Sequence, residues 1–229
     1  MKQTLPTSRL AADAKKMGID LFGVAAAEGF LDPAYLGKRP QDVFPGLASV
    51  VVIGVTVPKG AFKPLPRGRA QYTNTLMAGT ATLRVAAFAL ARSLEDEGYD
   101  AAIVPCEGSE FGYWYADRKT LMADLSIKYA AWRAGLGSFG KNHLLITDRF
   151  GPRVRLAAVL TDAPLDPGHP KGGLLSDRCA GCTRCIEACP VGAITPDGID
   201  RQACAAYMFG DLGGLRCGMC IRACPLVER

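Results

Sequence analysis

Nowhere in the 229 residues does an apolar run approach the roughly 18 needed to cross a bilayer, which excludes a spanning helix. The opening stretch MKQTLPTSRLAADAKKMG has neither an apolar signal region nor a twin-arginine pair. No export signal is read there, and the expected compartment is a reducing cytoplasm with no membrane partner. Internal repeats and low-complexity tracts are also absent. Histidine occurs only at His143 and His169, one beside a strand and one in a linker, so both are weak metal ligands. Outside residues 179–224, cysteine occurs once, at Cys106, which reads as a small buried hydrophobe. Nine cysteines so skewed, in a reducing compartment, do not read as a disulfide framework.

The eight clustered cysteines carry the strongest signal. Cys179, Cys182, Cys185 and Cys189 form C-x2-C-x2-C-x3-C, followed by Pro190. Three thiolates on one tight loop reach three irons of one cubane; the fourth, a helical turn further on, points to a second cluster. Pro190 helps to fix that turn. The second half is Cys204, then Cys217, Cys220 and Cys224 followed by Pro225. By the same logic Cys224 returns to the first cluster. The predicted ligand sets are therefore Cys179, Cys182, Cys185 and Cys224 for one [4Fe–4S] cluster, and Cys189, Cys204, Cys217 and Cys220 for the other. Cys204 stands apart from its loop and is the weakest member. Zinc, the competing metal, prefers two separated C-x2-C pairs around one tetrahedral ion.

The formal charge is +5. Two oxidised clusters with their thiolates each carry roughly −2, leaving about +1. Overall charge thus argues against a nucleic-acid partner.

Before the cysteines the chain alternates helical and extended patterns, the mark of an α/β layer structure. Residues 8–18 read as a helix starting at a Ser cap and stopping at Gly18. IDLFGVAAAE, SVVVIGVTVP, AAIVP, HLLIT and VRLAAVLTDAPL read as strands. A long helix carries Leu76, Thr80, Leu83, Ala87, Leu90 and Leu94 at helical spacing, with Gly98 as its stop. The Pro- and Gly-rich DPGHPKGGLLSD reads as a linker. It divides an α/β cofactor or substrate domain, residues 1–170, from a ferredoxin-like domain, residues 171–229.

The stretch AGLGSFGKN holds Gly135, Gly137 and Gly140 in the G-x-G-x-x-G spacing of a dinucleotide fingerprint. That fingerprint must follow a strand and open a helix. Here a helix precedes the glycines and a strand follows, so NAD is set aside. The first glycine reads instead as a helix C-cap. Three glycines also let a backbone approach a ligand, with Lys141 and Asn142 supplying polar groups immediately afterwards.

LSIKYAAWRAGLGSFGKNHLLITDRFGPRVRLAAVLTDAPL, together with the two-part cysteine module, resembles the epoxyqueuosine reductase and reductive dehalogenase-like family. MGIDLFGVAAAE is similar to the opening strand of that family. The resemblance implies a nitroreductase-like α/β domain holding a corrinoid (cobalamin), beside an α+β bacterial-type ferredoxin domain with two [4Fe–4S] clusters. It implies an iron–sulfur oxidoreductase drawing on a low-potential donor of ferredoxin or flavodoxin type and reducing a small molecule or modified nucleoside. The chain looks like a short member without the C-terminal helical repeats of the tRNA-modifying enzymes. Gly135, Gly137, Gly140, Lys141 and Asn142 are the expected cofactor-binding residues. Asp124, Tyr113 and Tyr115 are the candidate proton donors, Asp124 reading equally as a helix N-cap. The rival reading is an electron carrier serving a partner enzyme, against which stand the roughly 165 residues beyond the cysteine loops.

Overall fold

A computed structural model describes residues 6–228 except 108, 111 and 112, and describes no side chains from 108 to 114. In chain order the elements are α1 (Thr7–Lys16), β1 (Leu21–Ala26), β2 (Ser49–Thr56), α2 (Arg69–Asp96), β3 (Ala101–Val104), β4 (Ser109–Glu110), β5 (Tyr113–Trp114) and α3 (Ile127–Arg133). There follow β6 (Ser138–Phe139), β7 (Leu145–Ile146), β8 (Val154–Thr161), α4 (Arg184–Glu187), β9 (Ile194–Thr195), β10 (Gly198–Ile199), α5 (Arg201–Ala206) and α6 (Met219–Arg222). The chain divides into two compact units. The first comprises residues 1–55, 80–136 and 155–170; the second comprises 56–79, 137–154 and 171–229. Two inner segments, 56–79 and 137–154, thus group with the cysteine module.

The first unit is organised by a four-stranded sheet of order β1-β2-β8-β3. β1 runs antiparallel to β2 with Val24 opposite Val51, and β3 antiparallel to β8 with Val104 opposite Ala158. Residues 49–55 of β2 are all buried, as expected of an apolar, β-branched run covered on both faces. α1 adds Leu10 and Ala14 to the core, and α2 adds Leu83, Ala86, Ala87, Leu90 and Leu94. That is one continuous face at helical spacing. Each fully buried side chain of this size contributes about 1.5–3 kcal/mol.

α1 starts one residue earlier than its sequence signal. Pro6 stands at the cap with no side-chain bond, and Ser8 is already inside the helix. The Thr7 hydroxyl is engaged elsewhere, accepting the Asp166 amide at 3.0 Å. The stop at Gly98 holds: this glycine has φ +87°, and the Tyr99 amide returns to the Leu94 carbonyl.

The second unit has a smaller core of Val57, Ala61, Phe62, Leu65, Tyr72, Leu76 and Val227. Its regular structure is short: one-turn α4 and α6, the β9–β10 hairpin, and α5 continuing into a π-turn over Tyr207–Asp211. HLLIT pairs over only two residues, Leu145–Ile146 against β6. The reason is local. Asn142 Oδ1 captures the Leu144 amide in a turn, and Thr147 folds back onto Gly151.

Candidate metal centre

The eight clustered cysteines all lie in the second unit. Their mutual influence sorts them. Burial pushes the Cys224 thiol up, and Cys179, Cys185 and Cys182 push it further. Burial also raises Cys185, whose thiol neighbours are Cys179 and Cys182. Cys204 is raised by burial, then by Cys189 and Cys217. Cys220 is pushed up to about 12 by burial, then by Cys217, Cys204, Cys185 and Cys189. Cys224, at the end of the second motif, thus sits among the first three cysteines, while Cys204 sits with Cys189, Cys217 and Cys220.

Desolvated thiols that repel one another resist ionisation, yet metal ligation requires thiolates. Cations placed among them reverse that balance, so this donor set fits a positively charged iron core. A single zinc would take only four of these eight thiolates, in a tetrahedron.

A small, partly open pocket is lined by Cys179, Cys182, Cys185 and Cys224, with Lys141 and Asn142 on its wall. Two of the five expected cofactor residues therefore face the first cysteine group. Lys141 Nζ donates to the Cys182 carbonyl at 3.0 Å. Asn142 is 4% exposed. Upstream, the Phe139 amide donates to Leu174 and the Ser176 amide donates to Phe139. These bonds tie the glycine loop to the approach of Cys179.

The glycines have their own explanation. Gly135 ends α3 in the left-handed region at φ +74°, with the Leu136 amide returning to Ala131, as a C-cap requires. A Cβ there would meet the His169 carbonyl oxygen at 2.5 Å. At Gly137 a Cβ would run into the Ile146 carbonyl oxygen, and at Gly140 it would approach Asn142 Oδ1 at 2.7 Å. The three glycine faces are thus taken up by this chain itself. The three glycines themselves therefore offer no open face to a corrinoid.

Asp124 does not cap α3; Ser126 does, its hydroxyl accepting the Tyr129 amide. Asp124 instead pairs with Lys38 at 3.0 Å, both side chains about half exposed. Tyr115 is 37% exposed. Tyr113 lies in β5 and its side chain falls outside the described residues. Cys106 packs partly buried against the first core.

Sequence reasoning missed the cationic wall of the cavity, to which Arg178 and Arg184 add their guanidinium groups. Their nearness to Cys179 and Cys185 in sequence was the available signal. It also missed Gly151, whose absent Cβ leaves room for the Leu226 carbonyl just beyond Cys224.

The family described as 4Fe-4S dicluster domain matches residues 178–226. An epoxyqueuosine reductase of Bacillus cereus is 39% identical over 93 residues, which are 40% of this chain and 23% of the relative. A tetrachloroethene reductive dehalogenase of Dehalobacter restrictus is 33% identical over 193 residues, 82% of this chain and 30% of the relative. The chain thus spans about a quarter to a third of these curated relatives. Among solved structures, an epoxyqueuosine reductase with an epoxyqueuosine-modified tRNA-Tyr stem loop superposes with TM-score 0.67 at 24% identity, covering 96% of this chain and 65% of that one. A reductive dehalogenase described for B12-dependent dehalogenation superposes with TM-score 0.72 at 19% identity, covering 96% and 32%. Among the described residues no helix is long and apolar enough to cross a membrane. In sequence the chain is similar to epoxyqueuosine reductases and reductive dehalogenases, and in fold to solved structures of both.

Proposed function

We propose that this chain is an iron–sulfur oxidoreductase working by corrinoid-dependent reduction, with two [4Fe–4S] clusters relaying electrons from a donor of ferredoxin or flavodoxin type. The observation that carries the reading is the pocket lined by Cys179, Cys182, Cys185 and Cys224, which brings the end of the second motif to the first three cysteines. Cys179, Cys182, Cys185 and Cys224 hold one cluster; Cys189, Cys204, Cys217 and Cys220 hold the other. When bound, the clusters supply one-electron storage at low potential, and a corrinoid supplies the reductive chemistry, B12-dependent dehalogenation being what the dehalogenase neighbour is described for.

The chain's own residues do the remaining work. The cysteines ligate, with Cys185 buried and the other seven partly shielded from solvent. Asp124, which pairs with Lys38 in this structure, is the proposed proton donor. Tyr115 and Tyr113 are the proposed alternatives. The substrate class is a small molecule or a modified nucleoside. A nucleoside carried in RNA belongs within it, as in the epoxyqueuosine reductase solved with its tRNA stem loop.

The test is anaerobic reconstitution with iron and sulfide, followed by a cobalamin titration read by absorbance. Binding of about eight irons per chain and one cobalamin supports the proposal. Cluster reduction without cobalamin binding overturns the corrinoid part and leaves an electron carrier.

A further inference from the structure

The first cysteine group has a lysine built into its wall. Lys141 lies on the turn between β6 and β7, which is braced by the Phe139 bonds to Leu174 and Ser176. Its ammonium reaches the Cys182 carbonyl at 3.0 Å, on the loop that carries three cysteines of the first set. It also lines the cavity bounded by all four cysteines of that set. Of the two arginines on the same wall, Arg178 is paired with Asp148 at 2.9 Å, which offsets its charge. Asn142 fixes the turn through its bond to the Leu144 amide, so Lys141 is aimed by a rigid segment.

A reduced cluster carries one more negative charge than an oxidised one. A cation fixed beside it, in surroundings less screened than bulk water, stabilises the reduced form and raises the reduction potential. We infer that Lys141 is a positioning residue that raises the potential of the cluster held by Cys179, Cys182, Cys185 and Cys224. A glycine-rich turn that resembles a nucleotide fingerprint becomes the arm that carries this charge. The inference rests on the proposed two-cluster reading and adds a residue that tunes one cluster of the pair.

The test is a redox titration of the reconstituted full chain, followed by electron paramagnetic resonance, for the unsubstituted protein and for K141M, K141Q, K141R and K171M. Lys171 is exposed, lies in the same unit and does not line the cavity, so K171M controls for net charge. The expected result is a more negative potential for one cluster in K141M and K141Q, an unmoved second cluster, and near-native values in K141R and K171M. Should K141M lose iron, K141Q decides, because it removes the charge while keeping a polar side chain with a donor. Unchanged potentials in K141Q, or equal shifts of both clusters, overturn the inference. Failure of the unsubstituted chain to assemble two clusters overturns the proposed function instead, so the two failures are distinguishable.

Discussion

In the first unit, Val50, Val51, Val52 and Ile53 lie fully buried in one strand, and α2 lays Leu83, Leu90 and Leu94 against the same core. In the second, the described residues from 171 onward bury only Cys185, Ala193, Ile194 and Val227 among their hydrophobics. A segment so short of apolar burial cannot offset its conformational entropy by packing alone. The charge differs as well: 13 basic against 15 acidic residues in the first unit, 14 against 7 in the second. Two clusters of about −2 each with their thiolates absorb much of that excess. The first unit is held by side-chain packing, whereas the cysteine segment of the second has little apolar burial of its own, and its unit carries the excess of cations that metal sites of negative charge require.

Removing the metal should break the comparison most visibly. Iron chelation under anaerobic conditions is expected to abolish hydrogen-exchange protection across residues 177–224 while β2 and β8 keep theirs, because metal-binding energy is folding energy in such segments. Equal loss in both units would show that they do not differ as described. Next in size, Leu90→Ala is expected to cost about 2–5 kcal/mol in the stability of the first unit, measured by denaturant unfolding, with the iron content intact. Smaller again, Gly135→Ala should cost about 1–3 kcal/mol, since alanine must adopt φ +74° and its Cβ meets the His169 carbonyl. A neutral outcome there would mean that α3 ends differently in solution.

The two regions were also unequally legible in the sequence. In the first, β-branched density and helical spacing announced β2, β8 and α2, because packing and periodicity there act in the same direction. Ser8 misled: it lies inside the first turn, because Pro6 takes the cap position without a side-chain bond. In the second, cysteine spacing announced the metal chemistry, since ligand geometry is written in sequence offsets. The loop Gly137–Asn142 was harder. Its partners are the Cys182 carbonyl, Leu174 and Ser176, contacts that span more than thirty residues and leave no periodic trace. Asp124 misled in its alternative role for a related reason: the hydroxyl two residues on, at Ser126, has the better approach to the first turn of α3.

The interleaving of the two cysteine motifs is the central claim, and paired substitutions test it most directly. Iron is quantified after anaerobic reconstitution of two double variants, Cys179→Ser with Cys224→Ser, and Cys217→Ser with Cys224→Ser. If Cys224 joins the first motif, the former pair damages one cluster and retains about four irons, whereas the latter damages both and retains almost none. The reverse pattern, four irons kept by Cys217→Ser with Cys224→Ser, would contradict the account.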